Sequence, residues 1–519
     1  MIHDVVIAGA GPNGLLLACE LSLAGARPIV LERLPEPVPE PRANGVVGQV
    51  VRMLDRRGLY ERITGGTQPP EPASAYMFAA MHLDLTLLQD NPLYVLPVPQ
   101  ARLTQILAQR AAELGVEVRR GHELTDFTQD DEAVTAEVTG PDGTYRLRSR
   151  YLVGADGGHS VVRKRAGIAF PGVTRDSTVS RTVNADPPAD WVDPDTGALN
   201  VPGYGPISPM MHHRTENGLF VYAPFPGRPA TVNTLEYDPG QDATTPLSLA
   251  EMQESIRRVL GADVPLTAPA GDGPHLMRRL VGSNTRLAER FRDRRVLLVG
   301  DAAHVHSATG GPGLNLGLQD AVNLGWKLAA AVRDDARDDL LDTYEAERRP
   351  VGQRVIMHTQ AQSALTAPGA DVTALRELFG ELLTDPRNLK HIADTMAGSD
   401  VRYETDGHPL VGLLAPDLDL RTASGPVRLA EATRQARPLL IDMTEDGLPL
   451  DGPWDVIRAE SQPSQEQAQP HAQAQVRALL LRPDTYVAWA SSSARPDAGE
   501  LDALRKTAER WFGAGEPAQ

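Results

Sequence analysis

Two glycine-rich segments, far apart in the chain, carry the residue types that could do chemistry. The first is Gly9-Ala-Gly11-Pro12-Asn13-Gly14. An apolar run, Asp4–Ala8, leads into it, and a helix pattern from Leu15 to Ala24 follows. A second apolar run, Ala26–Leu31, ends in Glu32. Strand, tight turn, helix, strand and acid in that order make a dinucleotide-binding unit. Gly9 permits the turn, Gly11 lets a pyrophosphate approach the backbone, and Gly14 lets the helix pack close to the strand. Glu32 stands where a carboxylate accepts from ribose hydroxyls, and an acid there favours a plain ribose over a 2′-phosphate. The pattern alone does not separate FAD from NAD. The second segment is Arg294–Leu328. Its buried-strand run from Val296 to Val299 ends at Gly300-Asp301, and Gly310-Gly311-Pro312-Gly313 leads into a helix pattern from Leu314. Asp301 can accept a hydrogen bond from a sugar or ribityl hydroxyl. The N–H groups of Leu314 and Asn315, at a helix start, can face a group that becomes anionic.

The remaining elements must bring these segments together. Tyr151–Gly154 is another buried strand, ending in Ala155-Asp156-Gly157-Gly158, with a helix start through His159, Ser160 and Arg163. Acidic strand ends at Asp156 and Asp301, beside one dinucleotide unit, suggest a long cofactor laid along the sheet's carboxyl edge. Pro35–Pro41 reads as loop, and the cation after it, Arg42, could pair with a pyrophosphate. Tyr94–Val98 is a strand candidate, and Pro99-Gln100-Ala101-Arg102 begins a helix through Leu114. Val116–Arg119, Ala133–Val138 and Tyr145–Leu147 read as strands. Pro171 to about Met277 has strands at Gly218–Ala223 and Thr231–Tyr237, and Ser248-Leu-Ala-Glu251 has capping-box spacing before a helix. This region is expected to roof a pocket lined by Met210, Met211, His212, His213, Tyr222 and Phe225. Leu340–Leu365 reads as one long helix kinked at Pro350. Helices at Val372–Leu383 and Asn388–Met396 and a linker at Asp400–Gly412 follow. Strands at Leu439–Met443, Val456–Ala459, Ala478–Leu481 and Tyr486–Ala490 precede a last helix, Glu500–Phe512. Ser461–Gln475 is low-complexity and reads as a surface loop.

Composition narrows the function classes. The chain has 519 residues, enough for two to four domains. Its 51 basic and 68 acidic residues give a net charge of −17, which makes nucleic acid and anionic membrane poor partners. The one cysteine, Cys19, excludes an internal disulfide framework and a Cys-x-x-Cys redox centre. The apolar start lacks a basic leader and is interrupted by Asp4 and Glu20, so it is not read as a signal peptide. No stretch approaches the roughly 18 uncharged apolar residues of a membrane span. The expectation is a soluble, cytoplasmic protein without a metal site.

These motifs resemble the class A FAD-dependent aromatic hydroxylases, the para-hydroxybenzoate hydroxylase-like flavoproteins. The resemblance rests on Gly9-x-Gly11-x-x-Gly14 with Glu32-Arg33, the Tyr151–Arg163 segment, and Gly300-Asp301-Ala-Ala-His304 with Gly311-Pro312-Gly313-Leu314-Asn315. It spans about residues 1–360. His408-Pro-Leu, Pro483-Asp-Thr-Tyr-Val-Ala-Trp489 and Arg510-Trp-Phe-Gly resemble hydroxylases of aromatic polyketides, such as angucyclinone hydroxylases, whose C-terminal domain is thioredoxin-like without redox cysteines. The implied fold is α/β. A Rossmann-like FAD-binding domain (1–170 and 278–400) carries an inserted mixed or antiparallel substrate sheet (171–277), and a thioredoxin-like domain follows (401–519).

The resemblance implies extended FAD. Glu32, next to Arg33, would hold the adenosine ribose, and Gly9 to Gly14, with Pro12 and Asn13, the pyrophosphate. Arg42 and Gln100 would reach the pyrophosphate and ribityl region, and Leu124 would contact adenine through its backbone. Asp301, after Gly300, would take a ribityl hydroxyl or water, and the N–H groups of Leu314 and Asn315, after Pro312 and Gly313, would face the flavin pyrimidine. Asp156, Gly157 and Arg163 would serve transient NADPH or NADH. The implied reaction is O2-dependent hydroxylation of a polycyclic aromatic polyketide through a flavin C4a-hydroperoxide, in antibiotic biosynthesis, by a monomer or homodimer. No catalytic base is identifiable; His304, His306 and Tyr222 are the weak candidates. Baeyer–Villiger oxygenation, antibiotic-inactivating hydroxylation and non-catalytic flavin binding are the alternatives.

Overall fold

The computed structural model describes residues 2–37, 43–225, 227–237, 246–270, 275–306, 311–333, 339–449, 452–460 and 476–513, and all counts below refer to these. Arg42, Gly310 and the Ser461–Gln475 segment, each singled out above, lie outside them.

The apolar runs form the centre of an eight-stranded sheet. His3–Ala8 pairs in parallel with Pro28–Glu32 on one side and with the end of Gly143–Gly154 on the other, and Val296–Leu298 follows next. A strand walled on both faces has no solvent side to mark with polar residues, which is why these runs are continuously apolar. Gly143–Gly154 is one strand where two had been expected. Its first half pairs antiparallel with Val134–Gly140, and its second half enters the parallel sheet. Helices Pro12–Leu23 and Pro312–Val332 lie against each other beside this sheet.

A second, six-stranded sheet runs in the order 212–215, 218–225, 228–236, 172–184, 277–287 and 304–305. Its last strand, His304–Val305, comes directly from the Gly300–Ala302 turn, so the two sheets are joined at the second motif. One face packs on helix Leu249–Leu260 through Phe220, Val232, Met252 and Ile256. Ser248 accepts from the Glu251 N–H, as its spacing suggests. The Glu251 carboxylate does not close the box; it takes Arg181 and Arg279 instead.

The C-terminal residues form a four-stranded sheet in the order 455–458, 439–442, 478–481 and 487–491. Only its first pair is parallel. The region docks on helix Gln49–Asp55 and the residues after it by way of three buried arginines. Arg52 binds Asp417 and the Ala415 carbonyl; Arg56 binds the Ala415 carbonyl and Thr485 Oγ1. Arg57 pairs with buried Glu20 and donates to the Thr433 and Pro483 carbonyls. Burial lowers Arg56 to about 10, and Asp417, despite its own burial, is held well below the carboxylate range by Arg52 and Arg56. The expected linker at Asp400–Gly412 is packed rather than free: Val401, Leu410 and Val411 are buried, and the Tyr403 ring lies 4.3 Å from that of Tyr486.

Candidate active site

The first glycine motif is built as its spacing requires. Gly9 has φ +109°, and a Cβ there would sit 2.4 Å from the Ala155 carbonyl; one on Gly14 would sit 2.0 Å from the Gly9 carbonyl. A Cβ on Gly11 would meet nothing within 4 Å, because Gly11 borders open space at the start of the Pro12–Leu23 helix. Glu32 braces the turn, Oε2 accepting from Ala10 N–H (2.9 Å) and Oε1 from Leu34 N–H (3.0 Å).

Asn13 joins this motif to the second one. Cβ atoms on Gly300 or Gly317 would lie 2.1 and 2.3 Å from its Nδ2, so two absent side chains make room for the amide. Its buried Oδ1 has no hydrogen-bond partner. An open glycine cradle at a helix N-terminus, beside an orphaned acceptor, fits a pyrophosphate and its neighbouring hydroxyls.

The cavity at this cradle holds about 950 Å³. It brings Gly11, Pro12, Asn13, Gln100, Asp301, Gly313 and Leu314 together, with Gly157 at its edge. Asp301 is exposed into it. Helix Pro312–Val332 starts from Gly311 in the left-handed region (φ +68°), so the Gly313 and Leu314 N–H groups belong to its open first turn. Much of the rest of the lining is apolar: Val47, Tyr76, Met77, Val95, Met210, Met211 and Phe225. Burial raises the Tyr76 phenol to about 12, so it stays protonated near neutrality.

Several expected roles change. The Asn315 side chain, not only its N–H, is engaged: Oδ1 accepts from Val47 N–H (3.0 Å) and Nδ2 donates to the Gly311 carbonyl (2.9 Å). It ties the helix start to the cavity wall. Asp156 caps the next helix, Oδ2 accepting from Val161 and Val162 N–H. The Arg163 guanidinium donates to the Ala302 and Gly158 carbonyls and lies 3.8 Å over Phe170, which commits it to holding loops. Leu124 is a buried core residue and Arg33 is an exposed one; neither borders the cavity.

Of the base candidates, His304 is 1% exposed and pairs with Asp320 at 2.6 Å, away from the cavity. Tyr222 is 3% exposed, in the core beneath the second sheet. Both are removed from the reacting space by packing, and His306 alone of the three borders it. His212 borders a second cavity of about 1050 Å³ on the sheet's other side, with Arg175 and Arg278, and His213 contacts the Ser208 carbonyl.

The hairpin of Ala75–Phe78 and Met81–Asp84, which no local sequence signal announces, supplies Ala75, Tyr76, Met77 and His82 to the cavity lining. Its two turn residues, Ala79 and Ala80, have φ of +51° and +61°. A turn of that shape is ordinarily announced by Asn-Gly or Asp-Gly, and two alanines give no such signal.

Comparison with known proteins agrees with this geometry. Residues 3–359 match the FAD binding domain family, and residues 408–515 match the aromatic-ring hydroxylase C-terminal family. The chain belongs to the FAD-dependent aromatic-ring hydroxylases. It is 41% identical, over 99% of both chains, to a 12-dehydrotetracycline 5-monooxygenase/anhydrotetracycline 6-monooxygenase of Streptomyces rimosus. Among solved structures, the OxyS anhydrotetracycline hydroxylase from Streptomyces rimosus superposes with a TM-score of 0.83 at 37% identity, covering 100% of both chains. CabE, an aromatic hydroxylase from angucycline biosynthesis, gives 0.83 at 32% identity, again covering 100% of both. This flavoprotein monooxygenase uses FAD, with a nicotinamide as reductant. None of its described helices is long and apolar enough to cross a membrane.

Proposed function

We propose that this monooxygenase hydroxylates a polycyclic aromatic polyketide in antibiotic biosynthesis. The observation that carries the reading is that one cavity is lined both by the glycine cradle and Asp301 and by the largely apolar set Tyr76, Met77, Met210, Met211 and Phe225. Flat fused rings match a lining of that chemistry, and the relatives named above are a dehydrotetracycline and anhydrotetracycline monooxygenase and an aromatic hydroxylase from angucycline biosynthesis.

In this reading Glu32 receives the adenosine ribose, Gly11 to Gly14 the pyrophosphate, and Gln100 and Asp301 the ribityl chain. Bound FAD supplies the electron-transfer and oxygen chemistry. The chain's own contribution is placement and insulation. The open first turn at Gly313 and Leu314 would turn its N–H groups to bound FAD, where a helix N-terminus favours negative charge by about 0.3–1 kcal/mol. The roof carrying Met210, Met211 and Phe225 keeps water from the reacting centre. The C-terminal region is read as thioredoxin-like, supported by its strand order and single parallel pair, and as a scaffold rather than a redox module. Its role follows from its docking on Arg52, Arg56 and Arg57.

The test is aerobic turnover of a panel of polycyclic aromatic polyketides with NADPH and with NADH, using ¹⁸O₂ and product NMR. A ring or adjacent carbon bearing ¹⁸O-labelled hydroxyl supports the reading. A labelled lactone would replace hydroxylation by Baeyer–Villiger insertion, and FAD binding without any oxygenated product would sink the substrate class.

A further inference from the structure

Helix Pro312–Val332 presents Gly313, Gly317 and Asp320 at i, i+4 and i+7, hence on one face. Gly313 borders the cavity and Gly317 receives Asn13; Asp320 is fully buried behind them. Its Oδ2 accepts from Gly300 N–H at 3.2 Å and pairs with His304 Nε2 at 2.6 Å. Gly300 and His304 flank Asp301. One carboxylate therefore clasps both sides of the turn that presents Asp301 and fastens it to the helix whose first turn also lines the cavity. His304 Nδ1 has no partner, so the imidazole's own hydrogen bonding runs through Asp320, while its backbone pairs with Leu287 in the second sheet.

The other oxygen, Oδ1, accepts from Arg348 Nε at 2.8 Å. Arg348 is fully buried; Nη2 donates to the Leu316 carbonyl and Nη1 to the Tyr403 hydroxyl at 2.9 Å. The Tyr403 ring packs, tilted by 32°, against that of Tyr486 in the C-terminal region. We propose that Asp320 is a positioning residue for the cofactor cleft, and that Arg348 and Tyr403 connect the C-terminal region to the cleft through it. The proposal rests on the reading of Asp301 as a cofactor-facing group.

The experiment uses the full-length protein and measures FAD dissociation by fluorescence quenching, first on the unaltered chain. Asp320→Asn keeps the side chain's shape and removes its charge. FAD should bind roughly tenfold more weakly or worse, the loss of one charge-assisted hydrogen bond. The visible circular dichroism of saturated FAD should also change, which a loss of global stability alone would not cause. Arg348→Lys retains a cation for Asp320 and should lose less affinity than Arg348→Met. Asp320→Asn that folds, with unchanged affinity and spectrum, overturns the proposal. If it fails to fold, equal affinities for the two Arg348 variants overturn it. If the unaltered chain itself does not bind FAD, the cofactor assignment falls instead.

Discussion

Replacing Gly317 with alanine sets two physical effects against each other. Gly317 lies inside the Pro312–Val332 helix, where alanine is favoured over glycine by about 1 kcal/mol. The new Cβ would stand 2.3 Å from Asn13 Nδ2, 2.7 Å from Cγ and 2.9 Å from Oδ1. All three atoms belong to the Asn13 side chain, which lines the cavity, so the relief available is displacement of that amide. Overpacking of this kind costs about 1–3 kcal/mol, so net stability should change by at most about 2 kcal/mol. The cofactor cradle should suffer more. If Asn13 intrudes where the pyrophosphate lies, contacts worth about 1.5–3 kcal/mol are lost, and FAD affinity falls roughly ten- to hundredfold. Titration of apo protein with FAD, alongside a thermal melt, separates the two effects. Asn13→Ala in the Gly317→Ala background removes the obstruction and should recover much of the affinity while keeping the helix gain. Gly317→Ala with unaltered FAD affinity would refute the wedge, as would a double variant no better than the single one.

Other outcomes follow from the packing. His358 is buried, and that burial, with Arg354 beside it, lowers its pKa to about 4. Between about 4 and the ordinary 6.5 the unfolded chain takes up a proton that the folded chain refuses, so stability falls as pH drops through that window, by up to about 3 kcal/mol. His358→Gln should flatten this part of the stability curve in urea titrations at pH 4.5 and 7. Arg57→Met leaves Glu20 charged and buried, and should cost about 3–5 kcal/mol in chemical denaturation; a loss below 1 kcal/mol would mean the pair is dispensable. Tyr222→Phe should leave kcat and KM unchanged, since its phenol lies in the core; a large fall in kcat would return it to the reacting space.

The chain's local signals were readable wherever the physics is local. Gly9, Gly11 and Gly14 are dictated by backbone approach over a few residues, and Glu32 by the length of one strand–helix–strand unit. The same holds for Gly311 and Pro312, a left-handed residue and a proline at a helix start. Continuous apolar runs identified the buried parallel strands. What periodicity cannot carry is the identity of a partner far along the chain. Asp320, Asn323 and Lys327 form a polar stripe on their helix, yet all three are buried. Asn323 and Lys327 meet Glu347, which also takes Arg482. Burial alone would raise Glu347, but Arg482 and Lys327 outweigh it and hold it at about 2. His304 and His306 look alike in the sequence, and only the position of Asp320 makes one structural. Nothing local in the sequence marks Arg52, Arg56 and Arg57 as buried; a second region brings the carbonyls that take them. Sequence determined the cofactor fold because its turns are built from neighbouring residues; tertiary structure decided which polar groups face the cavity, because burial depends on what arrives from elsewhere.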